Sequence, residues 1–299
     1  MSSEDDFSRF SRRELLTASV GMASLAMISS ARLQAMEDDS SEFPIIDTNV
    51  SLFRWPFRRL PLDTTAALQK KLQSLGIVQA WAGSFEGLFH RDLVGVNSRL
   101  IEECRQHKMF VPIGSVNPTL PGWEQDLQRC LAEESMLGIR LHPNYHGYTL
   151  DSPNFSRILK LATEAGRFVQ LAVALEDTRT QPEQLQVPDV DLTPLPTIVK
   201  RIPQARVQLL NDRPRGSLIN QLRAVPGIYF DTARVDGTDG IPNLVQSVEP
   251  GRVLFGTHSP FLIPEAALIR THESGRFNPS ALRSVLAENA ERFREGNVT

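Results

Sequence analysis

The sequence predicts a single (β/α)8 barrel, and three observations support this fold class. Eight short runs of aliphatic and aromatic residues are each followed by a longer helical stretch, the pattern of parallel strands joined by helices. The runs lack strict polar alternation, which is typical of strands buried on both faces. A barrel of this kind takes about 250 residues, and the chain has 299. An open doubly wound sheet is the alternative, although no Gly-x-Gly-x-x-Gly follows the first run.

The elements alternate regularly along the chain. The predicted strands span residues 43–50, 76–82, 109–115, 137–142, 168–174, 205–210, 227–231 and 252–256. The predicted helices span residues 63–74, 91–107, 121–134, 153–166, 192–202, 215–224, 239–248 and 263–272, and a last helix, 279–293, closes the chain. Helix-start signals include Ser152-Pro153 and Asn278-Pro279. Gly76, just before the second strand, suits the turn that leads from a helix into a strand.

The first 35 residues are typical of a twin-arginine export signal. The pair Arg12-Arg13 precedes a moderately apolar run that ends in small residues near Ala31. This run is too short and too polar for a convincing membrane span. Residues 36–42 predict a solvated linker, followed by the barrel over 43–299. We expect an exported protein of the periplasm or cell envelope, with no stable membrane span after signal cleavage.

Amino-acid composition and net charge indicate which kinds of partner the protein binds. The net charge is −3 and 41% of the residues are hydrophobic, as in a soluble protein with a large core. Nucleic-acid binding would need a basic face, which this balance does not indicate. The expected partner is a small-molecule substrate or ligand, and assembly into a homo-oligomer is left open.

Polar and titratable residues follow six of the predicted strands. Active sites of (β/α)8 barrels lie at the carboxyl ends of the strands, so these residues are the candidates for function. The candidate catalytic residues are His258, His142 and Asp231. The candidate substrate-binding residues are Asn49, Arg54, Trp55, His146, Glu176, Asn211, Arg213 and Arg234.

Each residue type suggests a role. His258 is a candidate general base because imidazole titrates near neutral pH. Asn49 could donate a hydrogen bond to an oxyanion, and an arginine at the rim could clamp an anionic group. Glu176 opens a loop, 176–191, that is either a lid or a solvated insertion.

Three stretches carry a resemblance to a known family. They are Ile46-Asp47-Thr48-Asn49, Gly138-Ile139-Arg140-Leu141-His142-Pro143 and Leu254-Phe255-Gly256-Thr257-His258-Ser259-Pro260. Over residues 43–293 the chain resembles the amidohydrolase-related branch of the metal-dependent hydrolases. The resemblance implies a (β/α)8 barrel that hydrolyses a small organic molecule such as a lactone, an amide or a carboxylate. Some relatives are decarboxylases, so loss of CO2 is a second activity that the resemblance implies.

The resemblance also implies metal ligands, and this sequence departs from them. Members usually carry Asp-x-His-x-His on the first strand, histidines on the fifth and sixth, and Asp on the eighth. Asn49, Ser51, Asn211 and His258 stand at such positions here, and Asn and Ser bind Zn²⁺ poorly. One divalent metal, zinc, is left open, with His142 and His258 as candidate ligands. The alternative is a catalytically inactive barrel that binds a small anionic or carbohydrate-like ligand.

Overall fold

The structure is a computed structural model that describes residues 43–213, 216–273 and 275–296. The predicted export signal and linker lie outside these residues, so export stays a prediction. The strands are β1 (Ile45–Leu52), β2 (Ile77–Ser84), β3 (Phe110–Pro112), β4 (Gly114–Ser115), β5 (Gly138–Leu141), β6 (Phe168–Ala172), β7 (Val207–Leu210), β8 (Ile228–Asp231) and β9 (Val253–Leu254).

The third predicted strand, 109–115, is wrong in one respect, because it is two strands. β1, β2 and β3 form one parallel sheet, and β4 to β9 form a second in sequence order. The break falls at Ile113, whose backbone N–H donates to the carbonyl oxygen of Ala82 at 2.9 Å. The chain therefore passes from β3 to β4 while still hydrogen-bonded to β2.

Backbone hydrogen bonds close the strands into a ring. The N–H of Thr48 donates to the carbonyl oxygen of Phe255, and the N–H of Ser51 donates to that of Ser259, both at 2.9 Å. These bonds join the chain after β9 to β1, in a parallel arrangement. The predicted (β/α)8 barrel is thus confirmed, with all strand pairs parallel among the described residues.

Helices follow the strands on the outside of the barrel. They are α1 (Thr65–Gln73), α2 (Leu93–Gln106), α3 (Trp123–Ala132), α4 (Pro143–His146), α5 (Pro153–Glu164), α6 (Leu195–Lys200), α7 (Leu218–Arg223), α8 (Gly240–Ser247), α9 (Pro264–His272), α10 (Pro279–Arg283) and α11 (Asn289–Glu295). The Asn278 side chain caps α10 by accepting from the N–H of Ala281 at 2.8 Å. Predicted helix 279–293 is interrupted by a π-helix at Ser284–Glu288.

Three short elements were not predicted, and each follows the carboxyl end of a strand. A 3₁₀ helix, Phe85–Leu88, follows β2, and α4 follows β5. Another 3₁₀ helix, Thr178–Thr180, lies in the loop after β6. They are too short for hydrophobic periodicity to reveal.

Apolar packing closes the amino-terminal end of the barrel. Trp81 and Phe168 stack with ring centroids 5.1 Å apart, and Phe293 of α11 packs on Phe168 at 4.6 Å. Each of these side chains is at most 1% exposed. The polar side chains at the ends of the strands therefore lie at the opposite, carboxyl end of the barrel.

Among the described residues, every helix is too short or too polar to cross a lipid bilayer.

Candidate functional site

A layer of polar side chains crosses the barrel interior. Arg140, Gln170 and Gln208 lie at paired register positions on β5, β6 and β7. Gln170 Nε2 donates to Gln208 Oε1 and to the carbonyl oxygen of Thr48, each at 2.8 Å, while Gln208 Nε2 donates to Thr48 Oγ1 at 2.7 Å. Barrel interiors of this type are usually filled by branched apolar side chains, so this layer sets the chain apart.

Arg140 places a fixed positive charge in that layer. Its Nε donates to Gln170 Oε1 and its Nη1 to the carbonyl oxygen of Val50, both at 2.8 Å. Gly83 makes room, because a Cβ there would lie 2.6 Å from Arg140 Nη1. Burial lowers the pKa of Arg140 to about 10, and the carboxylates of Asp47 and Asp231 act in the opposite direction. The guanidinium therefore stays charged at neutral pH.

Asn49, Asn211 and Asp231 meet at the carboxyl ends of β1, β7 and β8. Asn49 Nδ2 lies 2.6 Å from Asp231 Oδ2 and 2.8 Å from Asn211 Oδ1. The N–H of Asn211, whose φ of 60° is left-handed, donates to Asp231 Oδ1 at 3.2 Å. Gly256 permits this approach, since a Cβ there would lie 3.0 Å from Asn49 Cβ. Three residues predicted from strand ends thus form one hydrogen-bonded cluster.

The pKa of the Asp231 carboxyl lies near neutrality, so the acid and the carboxylate are both present at pH 7. Burial raises its pKa to about 7, the hydrogen bonds from Asn49 and from backbone N–H groups lower it, and nearby Asp212 raises it. The side chain is 2% exposed. A buried carboxyl with such a pKa is suited to proton transfer.

Asp47 supports this cluster from behind. Its Oδ1 accepts from the N–H groups of Asn49 and Thr257, both at 3.0 Å, and Thr257 Oγ1 donates to its Oδ2 at 2.5 Å. Burial raises the pKa of Asp47 to about 6, and these hydrogen bonds lower it. Asp47 therefore fixes the backbone that presents Asn49.

His258 lies in the same mouth as a neutral imidazole. Its Nε2 is 2.7 Å from the carbonyl oxygen of Leu175, so this nitrogen carries the proton. Burial lowers the pKa of His258 to about 3, and nearby Arg234 and Arg140 act in the same direction. Its φ of 57° is unusual for a residue other than glycine, which indicates a locally constrained turn.

His142 and His146 form a second pair. Their ring centroids are 5.9 Å apart, and His146 Nε2 donates to the carbonyl oxygen of Gly87 at 3.0 Å. The Nδ1 atoms of both rings are buried without a hydrogen-bond partner among the described residues. Burial lowers the pKa of both rings, to about 4 for His146. Both imidazoles are therefore neutral at pH 7.

The side chains present do not fit a divalent metal. Among the described residues, no three His, Cys, Asp or Glu side chains group in a way that could hold one, so the candidate ligands His142 and His258 lack a third partner. Asn49 and Ser51 are neutral, and Arg140 Nη1 lies 3.4 Å from Ser51 Oγ. A buried guanidinium beside Ser51 would repel a cation.

An aromatic cluster covers the mouth beside His258. The Trp55 ring packs on Phe85 at 5.3 Å, on Phe261 at 5.0 Å and on Tyr145 at 6.3 Å, and Phe261 lies 5.1 Å from the His258 ring. Trp55 is 4% exposed. The predicted binding residue Trp55 therefore forms part of a closed apolar wall.

The remaining predicted binding residues lie around this wall. Glu176 is paired with Arg58 at 2.6 Å, and Arg54 is exposed on the loop after β1. Arg213 and Arg234 lie beyond the ends of β7 and β8, on the rim. None of these four charged residues is hydrogen-bonded to Asn49, Asn211 or Asp231 among the described residues.

Sequence reasoning missed the interior layer. Arg140, Gln170 and Gln208 are long polar side chains in the middle of apolar strand runs. That pattern could have indicated a polar layer inside the barrel. The aromatic wall joins loops after β1, β2, β5 and β9, and no local pattern connects them.

The family is shown by comparison with known proteins. The sequence profile of the amidohydrolase family matches residues 54–293, and the chain belongs to this family. Comparison with curated proteins finds no significant relative.

Similar solved structures include several decarboxylases. The 5-carboxyvanillate decarboxylase of Novosphingobium aromaticivorans, with bound manganese, has a TM-score of 0.65 at 13% identity, covering 86% of this chain and 98% of its own. The 2,6-dihydroxybenzoate decarboxylase of Rhizobium has a TM-score of 0.63 at 12% identity, covering 85% of this chain and 99% of its own. A dihydroxybenzoic acid decarboxylase of Polaromonas, also with bound manganese, has a TM-score of 0.65 at 12% identity, covering 86% of this chain and 98% of its own. At these identities the similarity shows the fold.

Proposed function

We propose that this protein is a lyase that removes CO2 from a small aromatic carboxylic acid, with Asp231 as the proton donor. The observation that carries the proposal is the buried Asp231 carboxyl, held between Asn49 and Asn211 at the carboxyl ends of the strands. The decarboxylases among the similar structures and the aromatic wall at the mouth support the substrate class.

The proposed step uses residues of this chain. The Asp231 carboxyl transfers its proton to the ring carbon that bears the substrate carboxylate. The bond from that carbon to the carboxylate then breaks, its electron pair returns to the ring, and CO2 leaves. The Asp231 carboxylate that remains is stabilised by the Asn49 amide and the charge of Arg140, and solvent restores its proton. Entry of the substrate requires displacement of Trp55 or Phe261, since the site is closed.

Release of CO2 tests this proposal. The purified protein is incubated with hydroxylated benzoic acids labelled with ¹³C at the carboxyl, and with lactones and amides as a hydrolysis arm. We expect release from a benzoic acid, and we expect Asp231→Asn to lower it by about 10²-fold or more, as loss of a general acid implies. Glu164→Gln, which changes an exposed carboxylate of α5, is the matched control. Equal release by Asp231→Asn would exclude Asp231 as the donor.

The donor set of the site favours a second candidate function, a barrel that holds a small anionic ligand without converting it. Asn49 and Ser51 are neutral, and no three His, Cys, Asp or Glu side chains among the described residues group in a way that could hold a metal. In that case the same acids would bind with measurable heat, and no CO2 or hydrolysis product would form.

A further inference from the structure

A separate cavity lies on the rim, on the loops after β7 and β8. Its volume is about 170 Å³, and its lining includes three arginines, Arg213, Arg223 and Arg234, together with Asp236. Gly240 and Asn243 of α8 complete one side. These residues come from loops and outer helices, whereas the Asn49 cluster lies inside the barrel.

Side-chain N–H groups of the arginines that line this cavity lack hydrogen-bond acceptors among the described residues. Arg234 is 7% exposed, and its side chain has no hydrogen bond or ion pair with any described residue. The Nε groups of Arg213 and Arg223 are buried and have no hydrogen-bond partner among these residues. The carboxylates paired with Arg213, those of Asp177 and Asp236, stand 4.0 Å away, beyond hydrogen-bond distance. Buried donors in this state are costly, and a ligand with several acceptor atoms would satisfy them.

The charge of the lining selects the ligand. Three guanidinium groups and one carboxylate line the cavity, and the carboxylates of Asp177 and Asp189 act on Arg234 from outside the lining. Burial and the neighbouring charge of Arg213 lower the pKa of Arg234, whereas Asp189, Asp177 and Asp236 raise it. An anion between the guanidinium groups would relieve the repulsion between Arg213 and Arg234. Guanidinium groups bind phosphate oxygens through paired hydrogen bonds. Donors from three guanidinium groups therefore match a phosphate, which offers several acceptor oxygens, better than a carboxylate with two.

We propose that this cavity binds a phosphate group, free or on a small ester, through Arg213, Arg223 and Arg234. The proposal does not depend on the lyase activity, because the cavity shares no residue with the proton-donating cluster. The two phosphate sources are separated by comparing inorganic phosphate with glycerol phosphate.

Calorimetric titration of the purified full-length protein tests the proposal, at pH 8 and constant ionic strength. We expect saturable binding of inorganic phosphate or of glycerol phosphate, and little binding of acetate. Arg223→Met and Arg234→Met should each weaken binding by about tenfold or more, as loss of a charge-assisted contact implies. Arg157→Met, which removes an exposed arginine of α5, is the matched control and should bind as the parent does.

If Arg234→Met fails to fold, Arg223→Met still allows phosphate binding to be measured in a folded variant. The backbone carbonyl of Arg223 accepts from Arg252 Nη1, and its side chain makes no hydrogen bond among the described residues, so the substitution leaves the local structure in place. Binding of glycerol phosphate alone would identify an ester as the ligand. Absence of saturable binding by both phosphates, equal binding of acetate, or unchanged binding in Arg223→Met would overturn the proposal.

Discussion

The Nδ2 atom of Asn49 lies 2.6 Å from Oδ2 of Asp231, which ties β1 and β8 together at their carboxyl ends. Asn49 stands where relatives usually carry a metal-binding histidine. Its amide donates one hydrogen bond to a carboxyl and another to Asn211. A hydrogen-bonded cluster of two amides and one carboxyl thus occupies the position at which the family resemblance places metal coordination.

Asp231→Asn should flatten the pH dependence of stability. Burial raises the pKa of Asp231 from 3.8 to about 7, so between these values the folded protein holds a proton that the unfolded chain releases. The contribution of this group is therefore full at low pH and lost as pH rises to about 7, at about 1.4 kcal/mol per pH unit for one proton. Urea unfolding at pH 5, 6, 7 and 8 measures the slope.

The control for this experiment is Glu164→Gln, which should keep the parent slope. Asp47 and Asp212, whose pKa values are raised to about 6, contribute in the same direction at lower pH. The difference between Asp231→Asn and the parent is therefore clearest between pH 6 and 7. Identical slopes in that interval would show that Asp231 is ionised in the folded protein.

Strand ends could be predicted from sequence, whereas contacts across the barrel could not. Asn49, Asn211 and Asp231 were found because parallel strands in a barrel present their carboxyl ends at one mouth. The role of Arg140 depends on Gly83 and Gln170, which come from other strands. A single sequence shows which residues occupy the metal-ligand positions, so the substitutions there could be predicted. It does not show which side chains of different strands meet inside the barrel, so the placement of the Arg140 guanidinium could not.

Arg140 and Gly83 should show strong energetic coupling. Arg140→Ala removes the partner of several buried acceptors and should cost about 3–5 kcal/mol of unfolding free energy, while exposed Arg157→Ala should cost less than about 0.5 kcal/mol. Gly83→Ala places a Cβ 2.6 Å from Arg140 Nη1 and should cost about 1–3 kcal/mol through overpacking. Urea unfolding of both single variants and the double variant measures the coupling.

The double variant decides whether the clash is the cause. With Arg140 truncated, the Cβ at position 83 has space, so Gly83→Ala should then cost much less than it does in the parent. Additive costs in the double variant would mean that Gly83 is required by the strand itself and not by the guanidinium.

Elemental analysis should find divalent metal well below one ion per chain. The donor set offers neutral Asn49 and Ser51 beside the Arg140 cation, and these groups compete poorly for zinc or manganese. A chelator should leave the thermal midpoint unchanged. Near-stoichiometric metal that decreases in both His142→Ala and His258→Ala would contradict this expectation and place the ion between those imidazoles.

Phe261→Ala should open the mouth to reagents. The Phe261 ring packs 5.1 Å from His258 and 5.0 Å from Trp55, and its loss should cost about 1–3 kcal/mol of stability. Diethyl pyrocarbonate acylates neutral imidazoles, so peptide mass spectrometry should find His258 modified in Phe261→Ala and protected in the parent. His90, which is exposed, reports full reactivity in both proteins. Phe57→Ala, at the outer edge of the same cluster and 43% exposed in the parent, should leave His258 protected. If His258 of the parent reacted as fast as His90, the mouth would be open in solution, and substrate entry would need no movement of the aromatic wall.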